Sequence, residues 1–148
     1  MSGAAYNTGN SKQDYETPLD FIAAAEKRFG KLDLDLAARD DNKKAPAYLS
    51  DSLNTDWPTD KLCWLNPPFA RVEPWARKCH ESGSKVLFLV PASTGSKWFI
   101  DYVFMKSLVL FLYPRIPFDK TRPKWGFPKD CILAVYGGTP GFETWKWK

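Results

Sequence analysis

Apolar residues recur along this chain in two rhythms, and the changes of rhythm lay out its elements. Over Leu19–Phe29, the residues Leu19, Phe21, Ile22, Ala24, Ala25 and Phe29 fall near one face at helical spacing. Thr17-Pro18 supplies a start signal, with Thr as N-cap and Pro at the first helical position, and Gly30 supplies a stop. Lys31–Ala38 then switches to period two. This predicts a strand over Leu32–Ala38 with Leu32, Leu34 and Leu36 on one face and Asp33 and Asp35 on the other, unless the strand ends early and frees Asp35 into a loop. Residues 39–60 are polar and turn-rich, with Pro46, Asn54 and Pro58, and carry no assignable rhythm.

Leu62–Leu65 predicts a short strand that runs straight into Asn66-Pro67-Pro68-Phe69, where two prolines end the pairing and stiffen the loop. Glu73–Glu81 predicts a short helix with Val72, Trp75 and Cys79 inward. Lys85–Val90 is a continuous apolar run, as in a strand buried on both faces. Ser96–Phe104 reads as a helix, with Trp98 and Phe99 as core. Ser107–Tyr113 and Asp130–Tyr136 read as buried strands on either side of the Pro-rich, basic stretch Pro114–Lys129. Trp145 and Trp147 either cap the core or face solvent. Alternating strands and helices predict an α/β fold with a mainly parallel sheet and room for a hairpin-like last pair. Residues 1–13 read as a flexible polar arm and 14–148 as a single domain.

Composition narrows the function classes. No apolar run approaches the roughly 20 residues of a membrane-spanning helix, and the polar N-terminus carries no secretory signal, so a cytoplasmic protein is expected. Three cysteines without CxxC spacing and a lone histidine, His80, predict reduced thiols and no metal site. The net charge of +4 is unevenly spread. Residues 1–60 hold 7 Lys/Arg against 11 Asp/Glu (−4), and residues 61–148 hold 14 against 6 (+8). A basic, aromatic-rich second half suits a polyanion such as nucleic acid, although uneven surface charge alone gives the same numbers.

The chemistry sits at the strand ends. Ligands of open α/β sheets bind beyond the carboxyl ends of the strands. The Asn66 side chain and the Pro67 carbonyl are two acceptors in one stiff loop, matched to an NH₂ group with two hydrogens to donate. Phe69 adds an aromatic face for a planar base, a contact worth about 1–3 kcal/mol. Adenine fits.

Asn66-Pro67-Pro68-Phe69 resembles the [Asp/Asn/Ser]-Pro-Pro-aromatic catalytic motif of amino-methyltransferases that use S-adenosylmethionine. Tyr15-Glu16-Thr17-Pro18 resembles their Thr-Pro segment, and Leu32–Ala38 stands where their first cofactor-binding strand belongs. Val90-Pro91-Ala92, Lys97-Trp98-Phe99 and Arg115-Ile116-Pro117-Phe118 are similar to blocks of the phage-encoded DNA N6-adenine methyltransferase (Dam) family, in the expected order from about Tyr15 to Gly137. The resemblance implies a small Rossmann-like, S-adenosylmethionine-dependent methyltransferase fold acting on DNA. It makes Asn66, Pro67, Pro68 and Phe69 catalytic and Tyr15, Thr17, Pro18, Asp35 and Ala37 cofactor-binding. Asp51, Asp56 and Asp40 are candidates for the ribose hydroxyls. Many such enzymes carry glycines after the first strand; here the sequence is Asp35-Leu36-Ala37-Ala38-Arg39, a variant loop.

Thr17-Pro18 also reads as a plain helix cap, and Asp35 as a solvated strand end. Arg115, Lys120, Arg122 and Lys124 form the densest basic cluster and are candidates for phosphate contacts, with a solvated connector as the alternative. RNA adenine, cytosine N4 and protein glutamine offer the same amine geometry, and a nucleic-acid-binding module without catalysis is a reading from another class. At this length, target recognition is expected to rest on the loops Arg39–Asp60 and Pro114–Lys129.

Overall fold

A computed structural model describes residues 16–118 and 129–148. The arm expected at 1–13 lies outside these residues, as do Tyr15, Lys120, Arg122 and Lys124. The described elements are α1 (Leu19–Phe29), β1 (Leu34–Asp35), β2 (Ala47–Tyr48), a 3₁₀ turn (Ser52–Asn54) and β3 (Leu62–Leu65). They continue with α2 (Glu73–Ser82), β4 (Lys85–Pro91), α3 (Lys97–Tyr102), β5 (Leu108–Tyr113), β6 (Cys131–Tyr136) and β7 (Gly141–Lys146). Seven described strands form one mixed sheet in the order β2-β1-β3-β4-β6-β5-β7. The first four are mutually parallel, β6 is antiparallel to β4 and β5, and β7 runs parallel to β5. This is the α/β, Rossmann-like arrangement expected, with the antiparallel pair at the place left for it.

Helices cover both faces of the sheet. Along β4, Val86, Phe88 and Val90 point to the α2/α3 side, and Leu87 and Leu89 to the α1 side. All five are 0% exposed, and each removes apolar surface worth about 1.5–3 kcal/mol from water. This double burial is why the β4 segment reads as an unbroken apolar run. On the α1 side, Phe21 packs edge-on against Trp147 (5.0 Å between ring centroids) and tilted against Trp145 (5.7 Å). Trp147 Nε1 donates to the Pro114 carbonyl at 2.6 Å, so Trp147 belongs to the core, with Trp145 half-buried beside it.

Four sequence expectations change. The α1 helix starts one residue late: the Pro18 carbonyl, not the Thr17 hydroxyl, accepts Phe21 N (3.1 Å) and Ile22 N (3.2 Å), and Leu19 is 73% exposed. The first strand pairs only at Leu34–Asp35. Leu32 packs on the α1 side and Leu36 on the α2/α3 side, so the three leucines do not share a face. The stretch 39–60 contributes β2 and the 3₁₀ turn. Finally, β7 is an additional edge strand, reached by a turn that steps past the start of β5. Gly137 makes the turn at φ +101°, where an added Cβ would lie 2.9 Å from Lys85 Cγ.

No described helix is long and apolar enough to cross a membrane. Cys63, Cys79 and Cys131 are free and buried. Burial pushes the Cys63 thiol up to about 11, that of Cys131 up to about 12, and that of Cys79 well above its ordinary value. Since the thiolate is the reactive form, iodoacetamide at pH 8 should label the folded protein at least about tenfold more slowly than the urea-unfolded chain. Mass spectrometry of quenched samples measures this, and equal rates would contradict the packing described.

Candidate active site

Strand β1 lies between β2 and β3, so the chain leaves it first to one side and then to the other. Such a reversal holds the connecting loops apart and opens a crevice beyond the strand ends. Asp35 pairs with Tyr48 of β2 and Trp64 of β3, which brings the three carboxyl ends level. A cavity of about 250 Å³ lies there. Asp35 and Ala37 from β1 and its loop, Ser50 beyond β2, and Trp64, Asn66 and Pro68 from β3 and its loop line it.

Asp35 organises this end of the sheet. Its main-chain carbonyl accepts Leu49 N at 2.8 Å, and the residue as a whole is 3% exposed. One carboxylate oxygen accepts Ala37 N at 3.2 Å and the other accepts Lys44 N at 2.9 Å. The carboxylate thereby staples two turns of the loop after β1 and gives it a fixed shape without glycine. Burial raises the Asp35 pKa above the ordinary carboxylate range, with the two backbone N–H groups and the Lys44 charge opposing it.

A second set of contacts closes the rim. Lys44 Nζ pairs with Glu16 at 3.1 Å, its side chain 8% exposed, and both residues line the cavity. Thr17, 2% exposed, also lines it and accepts the Asn66 Nδ2–H at 3.0 Å. The Oδ1 edge of the same amide is buried. Pro67 is buried behind Asn66, and Phe69 packs edge-on against Phe118 at 6.1 Å. Phe69 also lines a second hollow of about 350 Å³ together with Arg71 and Trp98. Of residues 66–69, Asn66 and Pro68 border the cavity and Phe69 borders the second hollow.

The sequence profile described as DNA N-6-adenine-methyltransferase (Dam) matches residues 6–132. The chain belongs to the Dam family. It is 34% identical over 111 residues to the DNA N-6-adenine-methyltransferase of Escherichia phage T1, covering 68% of this chain and 47% of that one. It is 31% identical over 122 residues to the protein of the same name from Haemophilus phage HP1, covering 76% and 70%. The chain thus spans about half the length of the T1 relative.

Against the Dam resemblance, Asn66, Pro68, Thr17, Asp35 and Ala37 meet at one cavity. Pro18 is buried beside it as the cap of α1. Asp51 is exposed next to the lining residue Ser50, and Asp40 pairs with Lys43 at 2.9 Å. Asp56 instead lines a separate hollow with Trp57 and Lys78. In that region, Lys78 Nζ donates to the carbonyls of Ser52 (3.1 Å), Leu53 (2.8 Å) and Thr55 (2.5 Å) and lies over the Trp57 ring, fixing the turn after β2. Arg115 is exposed and pairs with Asp130 at 2.8 Å. Sequence reasoning missed Lys44, Arg39, Asn42 and Ser50, which sit in the stretch without rhythm. Their place follows from Asp35 drawing the Lys44 backbone inward.

The raised Asp35 pKa has a definite sign. The folded state binds this proton more readily than the unfolded chain, so its stabilising contribution is present at low pH and lost as pH rises through the folded-state value. The unfolding free energy of wild type minus that of Asp35→Asn should therefore increase as pH falls from neutral toward the ordinary carboxylate range. Urea titrations at stepped pH measure it; a difference that stays flat or shrinks would show that Asp35 is not held as described.

Proposed function

We propose that this chain transfers a methyl group from S-adenosylmethionine to the N6 amine of adenine in DNA, as a phage-type enzyme acting in the cytoplasm of a bacterial host. The observation that carries the reading is that Asn66 and Pro68 of the Asn66-Pro67-Pro68-Phe69 loop line a cavity at the strand reversal, in a chain of the Dam family.

The residues present suit the cofactor. Glu16 and Asp35 lie beside Arg39 and Lys44, so the cavity carries both signs of charge, as the zwitterionic amino-acid end of S-adenosylmethionine requires. The small side chains of Ala37 and Ala38 let backbone come close, and Ser50 adds a hydroxyl. Asp35, Ala37, Thr17, Pro18 and Tyr15 are the cofactor side of this reading, with Asp51 the nearest acid to Ser50 for the ribose. Bound there, S-adenosylmethionine supplies an electrophilic methyl group on a sulfonium sulfur.

The chain's own residues prepare the nucleophile. An exocyclic amine conjugated with a purine ring has a delocalised lone pair and attacks poorly. Asn66 Oδ1 and the Pro67 carbonyl accept its two hydrogens and draw the nitrogen toward tetrahedral geometry, which frees the lone pair. The same acceptors stabilise the positive charge that grows on the nitrogen, by dipoles already in place, until the methylated amine gives up one N–H proton to solvent. Phe69 offers its ring to the base, which must leave the duplex to reach the loop at a cost of a few kcal/mol. Arg115, Lys120, Arg122 and Lys124 supply cations for the phosphates.

Asn66→Ala should lower methyl transfer to adenine-containing DNA by about 100-fold or more, with cofactor affinity little changed. Mass-spectrometric counting of N6-methyladenine, beside calorimetric titration with S-adenosylmethionine, tests this. Methylation on cytosine or RNA instead would redirect the substrate, and equal transfer by both proteins would remove the assignment. DNA affinity should also fall steeply between 50 and 200 mM salt, by a factor of about 10³ if six phosphates are contacted. A flat salt response in a filter-binding assay would count against the phosphate contacts.

A further inference from the structure

The chain after β3 borders two separate spaces. Asn66, Pro68 and Trp75 line the cavity assigned to the cofactor, whereas Phe69, Arg71 and Pro74 line the second hollow of about 350 Å³. The stretch 66–75 is thus a partition with room on either side. A further wall of the second space comes from another element, through Trp98 in the first turn of α3. Of these residues, the proposed transfer uses only Phe69.

The lining has the chemistry of a nucleotide seat. Trp98 reads in the sequence as core, and it does pack against Phe99 with ring centroids 6.1 Å apart, but it stays half-buried at the hollow. Phe69 is half-buried as well. Two aromatic side chains therefore border one open space, where a planar base gains stacking contact that does not depend on its sequence. Arg71 is exposed and forms no ion pair among the described residues, so a phosphate engages its guanidinium without breaking an existing contact. Glu73 on the same rim lies within range of the Arg77 and Lys97 charges, which offset its own.

The reacting amine belongs elsewhere. Pro67 is buried, and neither it nor Asn66 lines this hollow, so a base lodged here does not present its amine to the two acceptors. When an adenine leaves the helix, however, the base beside it loses a stacking partner. An aromatic wall next to the catalytic loop replaces that partner. We propose that the hollow bordered by Phe69, Arg71 and Trp98 seats the nucleotide adjoining the target adenine, its base stacked on Trp98 and its phosphate held by Arg71. This rests on the reading of the chain as a DNA adenine methyltransferase that extrudes its target. The seat is filled alike before and during transfer, so it governs affinity for DNA and leaves the transfer step itself unchanged.

The test uses a duplex built around an adenine that wild type methylates. An abasic residue replaces the nucleotide before that adenine in one version and the nucleotide after it in another. Wild type, Trp98→Leu, Trp98→Phe and Arg71→Gln are compared by DNA Kd, by single-turnover rate at saturating DNA and by S-adenosylmethionine Kd. Trp98→Leu should weaken DNA binding by about 10-fold, with Trp98→Phe recovering most of the loss. Its transfer rate should stay within about 3-fold of wild type and its cofactor Kd within about 2-fold. At one of the two neighbours, the abasic duplex should cost wild type about 10-fold in Kd but Trp98→Leu less than about 2-fold, because the contact is already gone. Arg71→Gln should lower the slope of log affinity against log salt by about one. With 5-iododeoxyuridine at that same neighbour, ultraviolet light should crosslink wild type at Trp98 or Phe69, a readout that stands even where the leucine variant does not fold. Equal abasic losses in wild type and Trp98→Leu at both neighbours, a slowed transfer step with unchanged DNA Kd, or crosslinks only elsewhere would overturn the seat. Each of those results beside intact methylation by wild type removes the seat alone, whereas a wild type that methylates no adenine removes the reading beneath it.

Discussion

The site depends on how β1 is held between its two neighbours. Only Leu34 and Asp35 pair on both sides, so this central strand is short for the position it occupies. Its contacts continue past the strand: Asp33 N and Leu36 N donate to the β3 carbonyls of Leu62 and Trp64, and Leu49 N closes on the Asp35 carbonyl. The buried Asp35 carboxylate then gathers two further backbone N–H groups. A charge placed where it is costly is kept because the donors around it would otherwise lose their acceptor in a place water does not readily reach. The loop it shapes thereby holds a fixed form without any glycine.

Much of this was legible in the sequence, for reasons that can be named. The β4 strand, α1 and α2 were readable because their partners impose a period. Val86–Val90 is sandwiched on two faces, and α1 and α2 each bury one stripe. The Asn66-Pro67-Pro68-Phe69 loop was readable because proline restricts its own backbone whatever surrounds it. What was not legible depended on distant residues. Thr17 looks like a helix cap in the local sequence, and only the fold brings Asn66 to it. The leucine alternation over 32–36 suggested one long strand, but the chain crosses from one side of the sheet to the other within it. Strand β7 carries Glu143, Thr144 and Lys146 on an exposed edge, so burial imposed no strong apolar pattern there.

The uneven charge also finds a partial place in the structure. Acidic residues of the first half, Glu16 and Asp35, converge on the cavity, but so do Arg39 and Lys44 from the same half. The site is therefore mixed in sign, and the net acidity of residues 1–60 did not describe it. Arg115, from the basic half, stands exposed beside Asp130 at the end of the β5–β6 connection.

The cavity walls come from four separated stretches, namely residues 16–17, 35–44, Ser50 and 64–75. None of these stretches forms a wall alone, and they meet only when α1 and three strands have docked together. The pocket and the folded state are in this sense one equilibrium. Any molecule that fills the space binds the native chain alone, so it must raise the unfolding midpoint of the whole sheet in proportion to the logarithm of its concentration. The thermal stability of this protein thereby becomes a gauge of what the crevice holds.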